Sequence, residues 1–251
     1  MNVEILGKGE PEYAVTAGVH GDETAAVEAL EKLRSSDIEF NKAVKTILVN
    51  EEALEKGRRF IDRDLNRCFP GDVSSEEHEE RLAAELLDEL EGLKVIDMHT
   101  TSSKHSPFII VGNPVDGDVE MARSTGIDKL IDMTYVEGGI GNHINGVVVE
   151  STKCPNAAEE LFDILTNFLA AEQVIDSEFE KNRPEFYKVY DMQEGSNYEF
   201  TAKNFEKVEA GEVYAEKPGG SLKAERSFYP VLMSTDGYES MIGFKADKKE
   251  I

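Results

Sequence analysis

The chain contains 251 residues, which is enough to bury a substantial core in one or two domains. Its 40% hydrophobic and 31% charged residues are typical of a folded globular protein and not of a disordered one. Its 51 acidic residues outnumber the 27 basic ones, so the formal net charge is −24. A surface this acidic repels the phosphates of nucleic acids and of anionic membranes, so we expect neither as a partner.

Three further features predict a cytoplasmic location. No apolar run in the sequence approaches the roughly 20 residues that span a bilayer. Residues 1–4 lack the basic and apolar segments that open a signal peptide. The two cysteines, Cys68 and Cys154, are too few for a disulfide framework, as is usual in a reducing compartment. The sequence leaves open whether the chain forms a homo-oligomer.

Strand-like and helix-like segments alternate through the first 182 residues. Apolar and β-branched runs predict strands at 2–6, 12–17, 44–49, 93–99, 107–111 and 147–149. Helical spacing predicts helices at 24–34, 74–92, 118–125 and from Pro155 onwards. The second helix is expected to begin at Ser74 because Ser74 and Glu77 form a capping-box pattern. The alternation predicts an α/β fold, with a mixed, partly parallel sheet flanked by helices.

The pattern changes near residue 183. Short strand-like runs at 186–190, 211–214 and 228–232 are separated there by Gly, Pro and Asn. We therefore predict two domains. The larger one, at 1–182, would carry the active site, and a small β-rich C-terminal domain would occupy 183–251.

Two histidines and one glutamate lie where apolar runs meet loops. His20 and Glu23 are three residues apart in the glycine-rich turn 16–23, and His99 ends a later strand. In open α/β sheets, such strand ends form ligand crevices. Two His and one Glu are the protein ligands of a catalytic zinc with an open fourth position. Asp97, two residues before His99, is placed to accept the second N–H of that ring. The alternative is that each histidine is a bystander in a loop.

The segment 59–67 is rich in arginine although the protein as a whole is acidic. It contains Arg59, Arg63 and Arg67 together with Asn66. Arginine binds carboxylates through paired hydrogen bonds, so the segment predicts an anionic substrate. The alternative is a loop held together by internal pairs between its arginines and its interleaved aspartates.

Glu150 follows three consecutive valines. A carboxylate in that position can simply mark the solvent end of a strand. Near a metal, however, a carboxylate can take a proton from water and return it to the nitrogen that leaves. The residues alone leave both interpretations open.

Four motifs, in this order along the chain, resemble those of the succinylglutamate desuccinylase/aspartoacylase family, a branch of the zinc-carboxypeptidase-like hydrolases. The motifs are 18–23 (GVHGDE), 64–67 (DLNR), 97–100 (DMHT) and 149–150 (VE). They cover residues 12–155, and the β-rich tail fits the family's two-domain plan. The resemblance implies a zinc-carboxypeptidase-like fold. It also implies hydrolysis of the amide bond of an N-acyl amino acid, or of a similar small carboxylate-bearing amide.

The same resemblance implies a metal site and a catalytic group. His20, Glu23 and His99 match the ligands of one zinc ion per chain. Glu150 matches the catalytic glutamate, which acts as general base toward the attacking water and then as general acid toward the amine. The ligand types prefer zinc, although they also suit cobalt or manganese.

Substrate contacts are also implied. Arg59, Asn66 and Arg67 match positions that hold substrate carboxylates, and Arg59 and Arg67 are also implied in polarising the scissile carbonyl. Tyr238 resembles the family's C-terminal substrate-contacting tyrosine. The expected partner is therefore a small anionic N-acyl amino acid.

One family feature is missing. Aspartoacylase-like members carry a further substrate-contacting arginine shortly before the catalytic glutamate, and this chain has Ile140 there. Asn142 and His143 are the candidates to replace that arginine. The absence counts against N-acetylaspartate as the substrate. Two other functions stay open, namely a zinc carboxypeptidase that acts on peptides and a non-catalytic metal- or anion-binding module.

The net charge gives a prediction about salt. Self-repulsion among 51 acidic groups destabilises the folded state unless cations screen it. If the surface is adapted to a high-salt cytoplasm, the thermal unfolding midpoint rises between low and molar potassium chloride. Ordinary acidic surface helices give no such rise, so an unchanged or falling midpoint would exclude the adaptation.

Overall fold

A computed structural model describes residues 1–101, 107–235 and 240–250 of the chain. The strands are β1 (Asn2–Leu6), β2 (Tyr13–Ala17), β3 (Val44–Leu48), β4 (Lys94–Thr101), β5 (Phe108–Val111), β6 (Lys129–Asp132), β7 (Asn145–Thr152), β8 (Glu185–Glu194), β9 (Glu199–Phe200), β10 (Val213–Lys217), β11 (Gly220–Lys223), β12 (Tyr229–Val231) and β13 (Met241–Lys249). The helices are α1 (Thr24–Arg34), α2 (Glu51–Glu55), α3 (His78–Leu90), α4 (Asp116–Ser124) and α5 (Ala157–Ala171), with 3-10 turns at Leu65–Arg67 and Ile140–Asn142.

The described residues form a ten-stranded sheet and a separate three-stranded sheet. The strand order of the large sheet is β1-β3-β2-β4-β7-β5-β6-β8-β13-β12. Its neighbours β3–β2, β2–β4, β4–β7, β5–β6 and β6–β8 are parallel, and the other pairs are antiparallel. The prediction of a mixed, partly parallel sheet flanked by helices is confirmed.

Helices cover both faces of the sheet because its central strands are apolar on both sides. One face packs against α1 and α5 in a core cluster that includes Val15, Leu30 and Leu165. The other face packs against α3 in a cluster that includes Ala14 and Leu82. Since alternate residues of a strand point to opposite faces, neighbouring residues of β2 enter different clusters.

The predicted helix start at Ser74 is wrong. The helix α3 begins at His78, with Glu77 in the N-cap position. The backbone N–H and the hydroxyl of Ser74 both donate to Asp72 Oδ1, at 2.8 and 2.7 Å. A preceding aspartate therefore holds Ser74 in a local turn, which competes with helix capping. The sequence analysis also missed β6 and the short helix α2.

The C-terminal region contributes to both sheets. β8, β13 and β12 extend the large sheet, and β8 pairs in parallel with β6 from the N-terminal region. The strands β9, β10 and β11 form the small antiparallel sheet. The β-rich character of this region is as expected, and the division into domains at residue 183 stays a prediction. Within the described part of the chain, every helix is too short or too polar to cross a membrane.

The parallel strands bring the candidate residues to one edge of the sheet. β2, β4 and β7 are consecutive parallel neighbours, so their carboxyl ends meet there. His20 and Glu23 follow β2 directly, before α1 begins. His99 in β4 and Glu150 in β7 are directly paired in the strand register.

Gly146 in β7 lies against the backbone of β4, which gives a prediction about packing. A Cβ atom at residue 146 would lie 2.1 Å from the carbonyl oxygen of Val95, so the two strands would have to move apart. Gly146→Ala should therefore lower the free energy of unfolding by about 1–3 kcal/mol, as overpacking does. Gly117→Ala is the matched control, because a Cβ on this exposed helical glycine meets nothing within 4 Å. Chemical denaturation of both variants measures the difference, and equal stabilities would contradict the packing account.

Candidate active site

Three side chains form a buried cluster at the edge of the sheet. His20, Glu23 and His99 are 3%, 3% and 1% exposed, and their ligand atoms lie within 4.8 Å of one another. His20 Nδ1 lies 2.8 Å from one oxygen of Glu23, and His99 Nδ1 lies 3.1 Å from the other. Both rings therefore present Nδ1 to the same carboxylate, that of Glu23. Two imidazoles and a carboxylate, all withdrawn from solvent, are a donor set that suits a divalent cation such as zinc.

The second nitrogen of each ring faces an aspartate. His20 Nε2 lies 3.0 Å from Asp64 Oδ1, and His99 Nε2 lies 2.6 Å from Asp97 Oδ2. The hydroxyl of Thr16 donates to the other oxygen of Asp97 at 2.5 Å. An acceptor on Nε2 favours the tautomer that leaves Nδ1 as a lone-pair donor. The predicted contact between Asp97 and His99 is present. The sequence analysis gave Asp64 no such role, although the residue stands in the 64–67 motif.

The turn that carries His20 depends on glycine. Gly18 has a φ of +74°, a backbone conformation that favours glycine. At Gly21, a Cβ atom would lie 2.3 Å from backbone atoms of Ala53 and Leu54, so the turn packs directly on α2. Glu23 occupies the N-cap position of α1 but makes no capping hydrogen bond. Its carboxylate is directed to the histidines instead, and it also accepts the backbone N–H of Thr100 at 2.9 Å.

Charges in the cluster shift one another's protonation. Burial alone would raise the pKa of Glu23, but His99 and His20 hold that pKa well below its usual value. Burial alone would lower the pKa of His99, but Asp97 and Glu23 raise it well above its usual value. The pKa of His20 is raised by Asp64 and Glu23, again against the effect of burial. The carboxylates thus favour positive charge between them.

The pKa of Glu150 shifts in the opposite direction to that of Glu23. Burial, together with the nearby charge of Glu23, raises the pKa of Glu150 to about 7. Its Oε2 atom is buried and has no hydrogen-bond partner among the described residues. A carboxyl group that is half ionised near neutral pH can both accept and donate a proton. Because β7 continues to Thr152, Glu150 also lies within the strand and not at its solvent end.

The three arginines of the segment 59–67, called the arginine segment below, have different partners. Arg59 donates to Glu23 at 3.2 Å and to Asp64 at 3.3 Å, so one internal Arg–Asp pair of the alternative interpretation does form. Arg63 instead reaches Glu77 and Glu80 on the protein surface. Arg67 donates to the carbonyl oxygen of Asn66, and no acidic group in the described ranges forms an ion pair with it.

Glu79 holds the arginine segment in place, and the sequence analysis missed it. Its carboxylate is fully buried and accepts the backbone N–H groups of residues 61, 62 and 63 at 2.6, 2.9 and 3.3 Å. It also accepts from the side-chain amide of Asn50 at 3.1 Å, and Asn50 in turn caps α2. In the sequence, Glu79 looks like any acidic residue in the first turn of an amphipathic helix. Only the tertiary structure distinguishes it.

A cavity of about 340 Å³ opens beside the cluster. Seven residues that the sequence analysis named as candidates line it: His20, Glu23, Arg59, Asn66, Arg67, Asn142 and Glu150. His99 and Asp97 lie behind this lining. Thr100 and Lys153 also line the cavity and were not predicted. Tyr238 lies outside the described residues, so its predicted contact stays a prediction.

Ile140, at the position of the missing arginine, forms part of the cavity wall. Its backbone N–H donates to the side-chain oxygen of Asn66 at 3.1 Å. Asn142 lines the cavity, but its side-chain nitrogen donates to the carbonyl oxygen of Val136 at 2.6 Å. His143 is not among the lining residues, and its ring stacks on Phe69 with a centroid distance of 6.1 Å.

Comparisons with known proteins give a consistent result. The model of the succinylglutamate desuccinylase/aspartoacylase catalytic domain matches residues 10–136. A probable aspartoacylase from Prochlorococcus marinus is 35% identical over 157 residues, which are 56% of this chain and 49% of the relative. The matched part of the chain thus spans about half the length of this curated relative.

Two solved structures share the fold. A succinylglutamate desuccinylase/aspartoacylase from Rhodobacter sphaeroides superimposes with a TM-score of 0.78 at 19% identity, over 99% of this chain and 89% of the other. Murine aminoacylase 3 superimposes with a TM-score of 0.77 at 18% identity, over 96% of this chain and 97% of the other. At these identities, the similarity establishes the fold.

The position of Glu79 gives a prediction about the arginine segment. Glu79→Gln replaces an accepting oxygen with an N–H donor that faces backbone N–H groups. The free energy of unfolding should fall by about 1–3 kcal/mol, the usual effect of leaving buried polar groups unsatisfied. Glu85→Gln makes the same chemical change on an exposed residue of α3 and should have little effect. Urea denaturation of the two variants tests this, and a stable Glu79→Gln protein would show that the segment does not depend on Glu79.

Proposed function

Because this chain belongs to the succinylglutamate desuccinylase/aspartoacylase family, we propose that it hydrolyses the amide bond of an N-acyl amino acid or of a similar small carboxylate-bearing amide. The products are a carboxylate and an amine. One observation carries the proposal: the convergence of His20, Glu23 and His99 on one point beside the unpartnered carboxyl oxygen of Glu150. The cytoplasm is the proposed location, and the unpaired state of Cys68 and Cys154 is compatible with it.

We assign the metal site to one zinc ion. His20 and His99 would bind it through Nδ1, and Glu23 would bind it through its carboxylate, with Asp64 and Asp97 fixing the rings from behind. When bound, zinc supplies Lewis acidity, which polarises a carbonyl group and makes water a stronger acid near neutral pH. The excess of carboxylate charge around the two rings supports a cation at this point.

Glu150 is the proposed proton carrier. It takes a proton from the attacking water while the water oxygen forms a bond to the amide carbon. The same proton then passes to the amide nitrogen as the carbon–nitrogen bond breaks. A pKa of about 7, raised by burial, suits a group that must accept and donate the same proton near neutrality.

The arginines have different proposed roles. Arg59 is held by Glu23 and Asp64, and a guanidinium has five N–H donors, so donors are left over for a carbonyl oxygen that gains negative charge. Arg67 has no acidic partner within the described ranges, so it is the proposed anchor for a substrate carboxylate. Asn66, which lines the cavity and whose side-chain oxygen accepts the backbone N–H of Ile140, completes that subsite.

The dimensions of the cavity favour a small substrate. A volume of about 340 Å³ is at the lower end of the range for pockets that enclose small molecules. A zinc carboxypeptidase would have to place a longer chain in the same space. The presence of Glu150 beside a complete ligand set supports an enzyme over a module that only binds metals or anions.

Two variants test the assignment. Glu150→Gln should keep its zinc, because Glu150 is not a ligand, and it should lose activity by roughly 10²–10⁴-fold, the usual contribution of a general acid–base. His99→Ala should lose both zinc and activity. For each zinc-loaded protein, we measure the zinc content after dialysis and the turnover of a panel of N-acyl amino acids. Peptide substrates of carboxypeptidases serve as the comparison. Turnover retained by Glu150→Gln would remove Glu150 from the mechanism, and turnover of the peptides alone would overturn the proposed substrate class.

A further inference from the structure

We propose that the cavity selects N-acyl amino acids that carry a single carboxylate and an apolar side chain, and discriminates against acidic side chains such as that of aspartate. This inference rests on the proposed function and names its substrate class. It depends on the distribution of charge and of apolar surface around the described part of the cavity.

Among the residues that the structure describes, the cavity lining has one cation available for a substrate carboxylate. Arg59 is paired with two acidic groups of the site itself. Lys153 forms an ion pair with Asp22 at 2.8 Å. Among the described lining residues, this leaves Arg67 as the basic side chain without an acidic partner. One substrate carboxylate is therefore matched by Arg67, and a second one would meet no free positive charge from the described part of the lining.

Part of the cavity wall is apolar. Ile110, Met133, Val136, Leu232 and Phe244 line the cavity and pack together in one hydrophobic cluster. A carboxylate placed against such a surface loses its hydration without gaining a partner, whereas an alkyl group is transferred favourably from water. The wall thus favours an apolar substituent.

The apolar wall lies next to the carboxylate subsite. The side chain of Asn66 accepts the backbone N–H of Ile140, and a Cβ atom on Gly138 would lie 3.1 Å from the backbone of Arg67. The connection between β6 and β7 carries both Ile140 and Val136 of the apolar wall, and it packs directly on the segment that carries Arg67. The half of the substrate that is anchored at Arg67 is the amino acid, so its side chain is the group that meets this wall.

Neither candidate replacement for the missing arginine supplies a cation. The side-chain nitrogen of Asn142 is engaged by the carbonyl oxygen of Val136, and Asn142 also packs on Gly112, where a Cβ atom would clash with it. The His143 ring stacks on Phe69 away from the cavity lining, and desolvation lowers its pKa, which keeps the ring neutral at pH 7.

The first test compares substrates. The zinc-loaded protein is assayed with N-acetylleucine, N-acetylmethionine, N-acetylaspartate and N-acetylglutamate. We expect kcat/KM to be about 100-fold higher for the two apolar substrates, in line with the discrimination that pocket chemistry supplies. Equal values, or higher values for the acidic substrates, overturn this inference and leave the proposed function intact. When neither these four nor any other member of the N-acyl amino acid panel is hydrolysed, the proposed function itself is contradicted.

Binding supplies a readout that does not need turnover. Calorimetric titration of the Glu150→Gln protein with N-acetylleucine and N-acetylaspartate should give at least about tenfold tighter binding of the former. The reverse order, or binding of neither compound, overturns the selectivity.

A charge substitution gives the complementary test. Val136→Arg places a cation on the partly exposed apolar wall and should shift the ratio of the two kcat/KM values toward N-acetylaspartate by about tenfold or more. Tyr135→Arg adds the same charge at the neighbouring, exposed residue, which does not line the cavity, and should leave the ratio unchanged. Thermal unfolding verifies that both variants are folded. An equal shift in both variants would show that long-range charge, and not the wall, sets the preference.

Discussion

The buried carboxylate of Glu23 is the interaction on which the site depends. Its two oxygens contact the Nδ1 atoms of His20 and His99, while Asp64 and Asp97 contact the opposite nitrogens. Three carboxylates thus surround two imidazoles in a region with little solvent. The raised pKa values of both rings express the resulting demand for positive charge. One divalent cation would meet that demand in place of a proton on each ring.

The sheet positions the histidine–glutamate cluster and Glu150, and the arginine segment adds Arg59 and Arg67 to the same cavity. Parallel strands bring His99 and Glu150 side by side, and the turn after β2 adds His20 and Glu23. The arginine segment has little regular structure, so its shape depends on tertiary contacts. Glu79 provides these contacts by accepting three consecutive backbone N–H groups, which makes a carboxylate outside the cavity responsible for the geometry within it.

The sequence predicts those parts of the molecule that periodicity and local motifs encode. The alternation of apolar runs was sufficient for the mixed sheet, and the positions of His20, Glu23 and His99 at strand ends were sufficient to expect them together. Contacts between distant segments leave no local signal. Glu79 is an ordinary helical glutamate until the loop that it binds is known, and Ser74 looks like a helix cap until Asp72 is seen to bind it. The apolar character of the cavity wall likewise required the structure.

Because His99 and Glu150 are directly paired across two strands, the distance between their side chains does not depend on the length of the chain that connects the strands. Backbone hydrogen bonds between β4 and β7 fix the distance between the two side chains, whatever number of residues connects the strands. Insertions and deletions between the strands can reshape the cavity without displacing this pair, whereas a single residue added within either strand would turn one of these side chains to the opposite face. The lining of the cavity can therefore vary through the connecting segment while the pairing of His99 with Glu150 stays unchanged.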